Sequence, residues 1–276
     1  MSFYEWFFLE KDRTPEGYFS WQHLLSVTVA LAIFLGLAVL LSNFFKGDKK
    51  KINITFIAAA ILIVGVQILK IVNLCIGSPN IWDTIVGNAP LYLCDMAIFV
   101  IPLCAITRGR FRNCCFDFMA IWGFIMAFFG TYFAGNIYGV HCAISYAAII
   151  SLINHSISGF VGLFIWMNKL NTMEKRNIPI SVSLLVAVMT FALIMDYADN
   201  HNFMFFKHGD GTPFDFFKNL VGGNLVLYDI EVYILQCGYM VGFYFAYYGI
   251  LKLIDKVKAK KLDAQIENAE TGEEQK

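Results

Sequence analysis

The chain has 276 residues, of which 58% are apolar, 16% aromatic and 15% charged, against about 45–50% apolar and about 25% charged in an average soluble domain. Mean hydropathy is +0.60. These values exclude a water-soluble globule and a disordered chain. Lys+Arg and Asp+Glu number 21 each, so the zero net charge implies no nucleic acid or other polyanionic partner.

Residues 1–20 come first. Phe3, Tyr4, Trp6, Phe7 and Phe8 read as an aromatic segment lying at a membrane interface. Residues 1–18 lack the apolar core of a cleavable signal peptide. Seven apolar stretches follow, at about 21–45, 52–77, 90–107, 113–133, 141–167, 178–197 and 224–251. Each reaches or slightly exceeds the roughly 17–25 residues that cross ~30 Å of hydrocarbon. Strand-like alternation is absent, and a lipid-embedded backbone must satisfy its own hydrogen bonds, so the spans are predicted to be helices. The fold class is therefore all-α: a polytopic membrane protein with one seven-helix domain over 21–254. A charged tail occupies 255–276, lysine-rich and then acidic, and reads as a solvated, partly disordered end.

Charge placement predicts the direction of crossing. Loops 46–51, 108–112 and 168–177 and the tail after 251 carry sixteen Lys and Arg residues. The alternate set holds four, Lys11, Arg13, Lys207 and Lys218. The positive-inside rule then puts the N-terminus outside and the C-terminus in the cytoplasm, with the cell membrane as the expected location.

Seven cysteines, at 75, 94, 104, 114, 115, 142 and 237, form no CxxC pair with matching partners. Neither a zinc site nor a disulfide framework is expected, and no motif asks for a metal or other cofactor. Polar residues inside the spans carry more information, because each costs at least ~2.5–3.5 kcal/mol at the bilayer centre. Depths follow from ~1.5 Å per residue, measured from each helix's basic end. Gln67 lies ~24 Å up, Lys70 ~28 Å, Cys94 ~21 Å, Asp95 ~20 Å, Asn154 ~21 Å, His155 ~20 Å, Asp196 ~28 Å, Gln236 ~24 Å and Glu231 ~31 Å. Five helices thus place polar groups in one band, while Asp117 lies only ~7 Å from the basic end.

Structural readings compete residue by residue. Lys70 also fits a side chain snorkelling to the outer interface, or an ion pair with Asp95. His23 fits an interfacial position opening the first helix, and His155 a hydrogen bonder between helices. The sharpest constellation is Pro90-Leu91-Tyr92-Leu93-Cys94-Asp95. Pro90 suits a first helical turn, which predicts Cys94 about one turn inside the third span. A helix N-terminus and a nearby histidine favour thiolate. Cys94 and His155 at matching depth meet the requirement of a Cys–His nucleophilic pair, with Asp95 or Glu231 to orient the imidazole.

The order and spacing of several pieces resemble the YwaF-type bacterial integral membrane proteins, related to eukaryotic transmembrane protein 164. The pieces are Phe19-Ser20-Trp21-Gln22-His23-Leu24, Pro90 to Asp95, Trp122-Gly123, Asn154-His155-Ser156, Asn202 to Phe206, Pro213 and Tyr228 with Glu231. The resemblance covers about residues 18–250. It implies an acyltransferase that moves fatty acyl chains between membrane phospholipids through an essential cysteine. Cys94 would accept the acyl chain, His155 would serve as base, and Lys70, Gln67 or Asn154 would stabilise the tetrahedral oxyanion. His23 and Glu231 complete the substrate site. Segment 198–223, with His201, His208, Asp210 and Asp215, would form a lid or a solvated surface. This chain departs from the family pattern at Tyr92, where the family has histidine, and at Ser156, where it has glycine. Two further classes fit the same polar layer: a carrier for ions or small molecules, and a non-catalytic membrane scaffold. Oligomeric state is open.

Overall fold

The computed structural model describes residues 2–209 and 214–273. Asp210 and Pro213, singled out above, and the last three residues of the charged tail lie outside the described residues. The described chain is helical and has no strand.

A short helix, α1 (Phe3–Phe7), opens the chain under a Ser2/Glu5 capping box. Its aromatic face meets the next spans through Phe8, which stacks on Tyr146 at 4.8 Å. Three ionic residues then strap this segment to loop 139–145. Glu10 accepts hydrogen bonds from His141 Nδ1 at 2.7 Å and from the Cys142 N–H at 2.6 Å. Glu16 accepts from the Ala143 N–H at 2.8 Å, and Arg13 donates to the Ile144 carbonyl at 2.8 Å. Burial raises the Glu10 pKa, but the donors from Cys142 and His141 outweigh it and leave the carboxyl below the usual glutamate range. A carboxyl depressed in the folded state adds stability above its unfolded pKa and loses it as pH falls through its folded pKa. Glu10→Gln is therefore expected to lower stability by about 1 kcal/mol at neutral pH, after allowance for solvent screening. Thermal unfolding in detergent from pH 7 down to about 2 should show the native and variant curves converging as pH falls through the lowered Glu10 pKa. A gap unchanged at acid pH would refute the ionic origin of the strap.

Among the described residues, six helices are long and apolar enough to cross a membrane. Helix α2 (Trp21–Phe44) is capped by Ser20, which accepts from the His23 N–H. Helix α3 (Lys49–Cys75) is capped by Asp48, which accepts from Lys50 and Lys51. A short helix α4 (Ile81–Gly87) follows. The third apolar stretch then gives only an 11-residue helix, α5 (Met96–Ile106), with Pro102 inside it and a 3₁₀ turn, Leu93–Asp95, ahead of it. Helix α6 (Gly109–Tyr132) leads through α7 (Gly135–Tyr138) to α8 (Tyr146–Met167), capped by Ser145. Helix α9 (Ile178–Asp199) ends at Asn200 in the left-handed region, φ +57°, a common stop for a helix. Helix α10 (Phe214–Leu220) precedes α11 (Leu225–Glu273). The tail after Asp255, expected to be partly disordered, continues α11 as helix to Glu273.

The core is built on α6 and α8, the most buried of the spans. Glycines set their approach. A Cβ at Gly123 would sit 2.9 Å from Gly162 Cα and against the Ser158 carbonyl, and a Cβ at Gly159 would sit 2.5 Å from Ala127 Cβ. Gly123, Ala127 and Gly130 share one face of α6, spaced i, i+4, i+7, and His155, Ser158, Gly159 and Gly162 share the facing stripe of α8. Small residues let two backbones come close where lipid supplies no hydrophobic drive between helices. Helices α2 and α3 pack on α8, α5 packs on α3 and α6, and α9 packs on α6 and α11.

Candidate active site

The Pro90–Asp95 segment is a turn. Tyr92 is extended, φ −80° and ψ 157°, and the Asp95 N–H closes the 3₁₀ turn on the Tyr92 carbonyl at 2.9 Å. Cys94 therefore lies ahead of α5, not one helical turn inside it. Three contacts hold the turn. Trp122 Nε1 on α6 donates to the Leu93 carbonyl at 3.3 Å. Gln67 Nε2 on α3 donates to the Asn88 carbonyl at 3.0 Å. The Tyr92 ring meets Phe203 edge-on at 5.2 Å.

The half-buried Cys94 thiol donates to Asp95 Oδ1 at 3.9 Å, and Asn154 Nδ2 on α8 donates to the same oxygen at 3.3 Å. Asp95 is 4% exposed. The structure thus joins Cys94, Asp95 and Asn154 in one chain of hydrogen bonds across two elements. Lys70 on α3 is the cation whose field reaches both Cys94 and Asp95. It forms no ion pair with Asp95 within 4 Å.

His155 follows Asn154 and points about 100° further round α8. Its ring lies over Gly130 of α6, where a Cβ would meet Nε2 at 3.0 Å and Cε1 and Nδ1 sooner. Nδ1 is buried without a partner, as are Asn154 Oδ1 and Ser156 Oγ. No hydrogen bond joins His155 to Cys94 among the described residues. Ser156 adds a fully buried hydroxyl where the resemblance expects glycine.

Two predicted site residues sit elsewhere. His23 is fully buried and uses both ring nitrogens. Nδ1 accepts from the Phe19 N–H at 3.2 Å, which leaves Nε2–H to donate to the Thr131 carbonyl at 3.0 Å. Its ring stacks on Tyr138 at 3.8 Å. Glu231 lies on α11 with Oε2 buried and unpartnered, and no hydrogen bond links it to Cys94, Asp95 or His155. A second polar group, which the sequence reveals only in part, gathers around the Phe203–Phe205 turn. There Asp196 Oδ1 accepts from the Phe203 N–H at 2.6 Å, and Gln236 Nε2 donates to the Met204 carbonyl at 2.9 Å. Tyr197 donates to Asp229 Oδ2 at 2.7 Å. These bonds shape the Phe203–Phe205 turn. Through Phe203 on Tyr92, and through His201, whose ring lies where a Gly87 Cβ would come within 2.9 Å, the turn covers the approach to the Cys94 turn.

Equal depth pairs Cys94 with His155, but the hydrogen bonds run from Cys94 to Asp95 and from Asn154 to Asp95 instead, and depth gives no sign of Trp122, Phe203 or Gly130. The recurrence of glycine on two spans was the available signal for Gly130. All seven cysteines are free thiols. Among the described residues no group of three or more His, Cys, Asp or Glu side chains is arranged to hold a metal ion.

Fold and site together define a multi-pass helical membrane protein with a cysteine, a carboxylate and an amide linked in a buried polar layer. A family model, the TMEM164 family, matches residues 18–247, and the chain belongs to that family. No curated protein and no solved structure matches it.

Proposed function

We propose that this protein is a lipid acyltransferase that carries a fatty acyl chain between membrane phospholipids as a thioester on Cys94. The reading rests on one observation above all: the hydrogen-bonded chain Cys94–Asp95–Asn154 beside an uncommitted His155, in a member of this family. Cys94 Sγ attacks the ester carbonyl of a phospholipid, and the thiol proton passes by way of Asp95 to neutral His155, which becomes imidazolium. The tetrahedral intermediate collapses, the ester C–O bond breaks, and His155 as imidazolium gives a proton to the departing lysolipid oxygen. In the second half the hydroxyl of another lysolipid loses its proton to His155, attacks the thioester and releases Cys94, which recovers that proton from His155 by way of Asp95. A covalent intermediate divides one hard step into two easier ones. Lys70 and the Asn154 amide are the groups suited to the developing oxyanion, a contribution of about 2.7–4 kcal/mol per donor in such sites. Gln67 supports the turn, and His23 and Glu231 take no part in these steps.

In this reading the short helix α5 with its 3₁₀ turn makes the seventh crossing. The N-terminus faces outward, the lysine-rich end of α11 faces the cytoplasm, and the site opens toward the outer leaflet of the cell membrane. Phospholipids are the partners, and nucleic acid is not.

Mass spectrometry of the purified protein after incubation with phospholipid tests the reaction. The expected result is a mass gain of one acyl group on Cys94, absent in Cys94→Ala and reduced roughly 100-fold or more in rate in His155→Ala. No adduct with any phospholipid offered would overturn the reading. A carrier is the alternative favoured by the unpartnered buried oxygens of Asp196, Asp229 and Gln236. It requires solute uptake into proteoliposomes that survives Cys94→Ala.

A further inference from the structure

A cavity of about 370 Å³ opens where loop 168–177 meets α11. It lies a helix length, about 30 Å along α9, from the Phe203 turn that covers Cys94. Lys175, Lys252 and Asp255 give it charge, and Phe245, Tyr248 and Leu251 give it an apolar wall. The Lys175 ammonium sits 5.6 Å from the Tyr248 ring centroid, and the Tyr248 hydroxyl donates to the Met173 carbonyl, so loop and helix share this wall. Lys175 and Lys252 occur near the ends of two candidate spans, Lys175–Asp199 and Leu225–Lys260, where headgroups meet hydrocarbon. Phe245 is 58% exposed and continues the wall onto the apolar outer face of α11. Lys256, one turn beyond Lys252, adds positive charge, and Arg176 is already paired with Glu174.

We propose that this cavity binds the headgroup of an anionic phospholipid, with the phosphate between Lys175 and Lys252 and an acyl chain along Phe245 and Leu251. Asp255 also lines the cavity, but Lys175, Lys252 and the neighbouring Lys256 outnumber it, so a headgroup of net negative charge is favoured over one that is neutral overall. A soluble anion would leave the apolar wall uncovered. The site is independent of the acyl-transfer reading, because none of its residues touches the Cys94 turn.

The test is lipid retention by the full-length protein purified from nanodiscs holding equal phosphatidylglycerol and phosphatidylcholine, counted by mass spectrometry. The native protein is expected to retain phosphatidylglycerol preferentially. Lys175→Glu/Lys252→Glu should lower that preference roughly tenfold, given the attraction of individual basic residues to anionic surfaces. Lys258→Glu/Lys260→Glu, further along the same helix, should keep it within about twofold. Lys175→Gln/Lys252→Gln, which removes charge without reversing it, should give an intermediate loss and serves if the reversed variant does not fold. No preference in the native protein, or equal losses from the cavity and tail variants, would overturn the proposal.

Discussion

Gly123→Val is expected to abolish recovery of a monodisperse, folded protein, with a loss of stability above about 3 kcal/mol. The new side chain would begin 2.9 Å from Gly162 Cα and 3.1 Å from Gly162 N, against backbone that no rotamer change can move. Overpacking in adaptable cores costs about 1–3 kcal/mol. Here α6 and α8 must separate instead, which also opens the Ala127–Gly159 contact and lifts Gly130 from the His155 ring. Close packing is what holds helices together in lipid, so this loss has no hydrophobic compensation. Gly65→Val is the matched control. Gly65 lies inside α3, and a Cβ there has nothing within 4 Å. Size-exclusion profiles and melting curves in detergent should separate the two variants sharply, and equal behaviour would sink the close-packed seam.

The spans were legible because hydrocarbon imposes one coarse requirement: enough apolar residues in a row. Six of the seven stretches therefore appear as helices; four keep within a few residues of their expected limits, while α8 starts five residues late behind the Ser145 cap and α11 runs on to Glu273. The third stretch differs because hydropathy does not distinguish an α-helix from a turn. Residues 90–95 are as apolar as a first helical turn, yet Tyr92 is extended and the chain tightens into a 3₁₀ turn before α5. Depth along a helix is also a ruler in one dimension. It set Asn154 and His155 at one level with Asp95, but the two side chains leave α8 about 100° apart. Only Asn154 reaches Asp95, while His155 turns to Gly130. His23 illustrates the same gap: the family resemblance puts it in the substrate site, but the Phe19 N–H and Thr131 carbonyl engage both ring nitrogens. Those partners come from a bend before α2 and from the end of α6, and pairing of that kind is invisible in a sequence read one span at a time.

Asp117→Ala is expected to cost about 3–5 kcal/mol, the usual range for removing one member of a buried, charge-assisted network. Asp117 is fully buried on α6 and is the one carboxylate set far below the polar band. Its Oδ1 accepts from the Thr172 and Met173 N–H groups at 2.7 and 2.8 Å, and its Oδ2 accepts from Asn177 Nδ2 at 2.8 Å. These bonds hold loop 168–177 in an awkward path, with Lys169 at φ +54° and Met173 at φ +46°, a region that side chains other than glycine rarely occupy. Without the carboxylate, buried donors lose their acceptor at about 1–3 kcal/mol each. The loop is then expected to open, which limits the total below the sum. Asp117→Asn keeps an acceptor for the two N–H groups but turns an amide toward Asn177, so an intermediate loss is expected. Melting temperature and protease cleavage within 168–177 report the two aspects separately. Because Met173 anchors Tyr248 and the loop carries Lys175, Asp117→Ala should also reduce anionic lipid retention although it lines no part of that cavity. A variant with native melting and an uncut loop would mean that the turn is held by its own backbone, and that the buried carboxylate serves some other end.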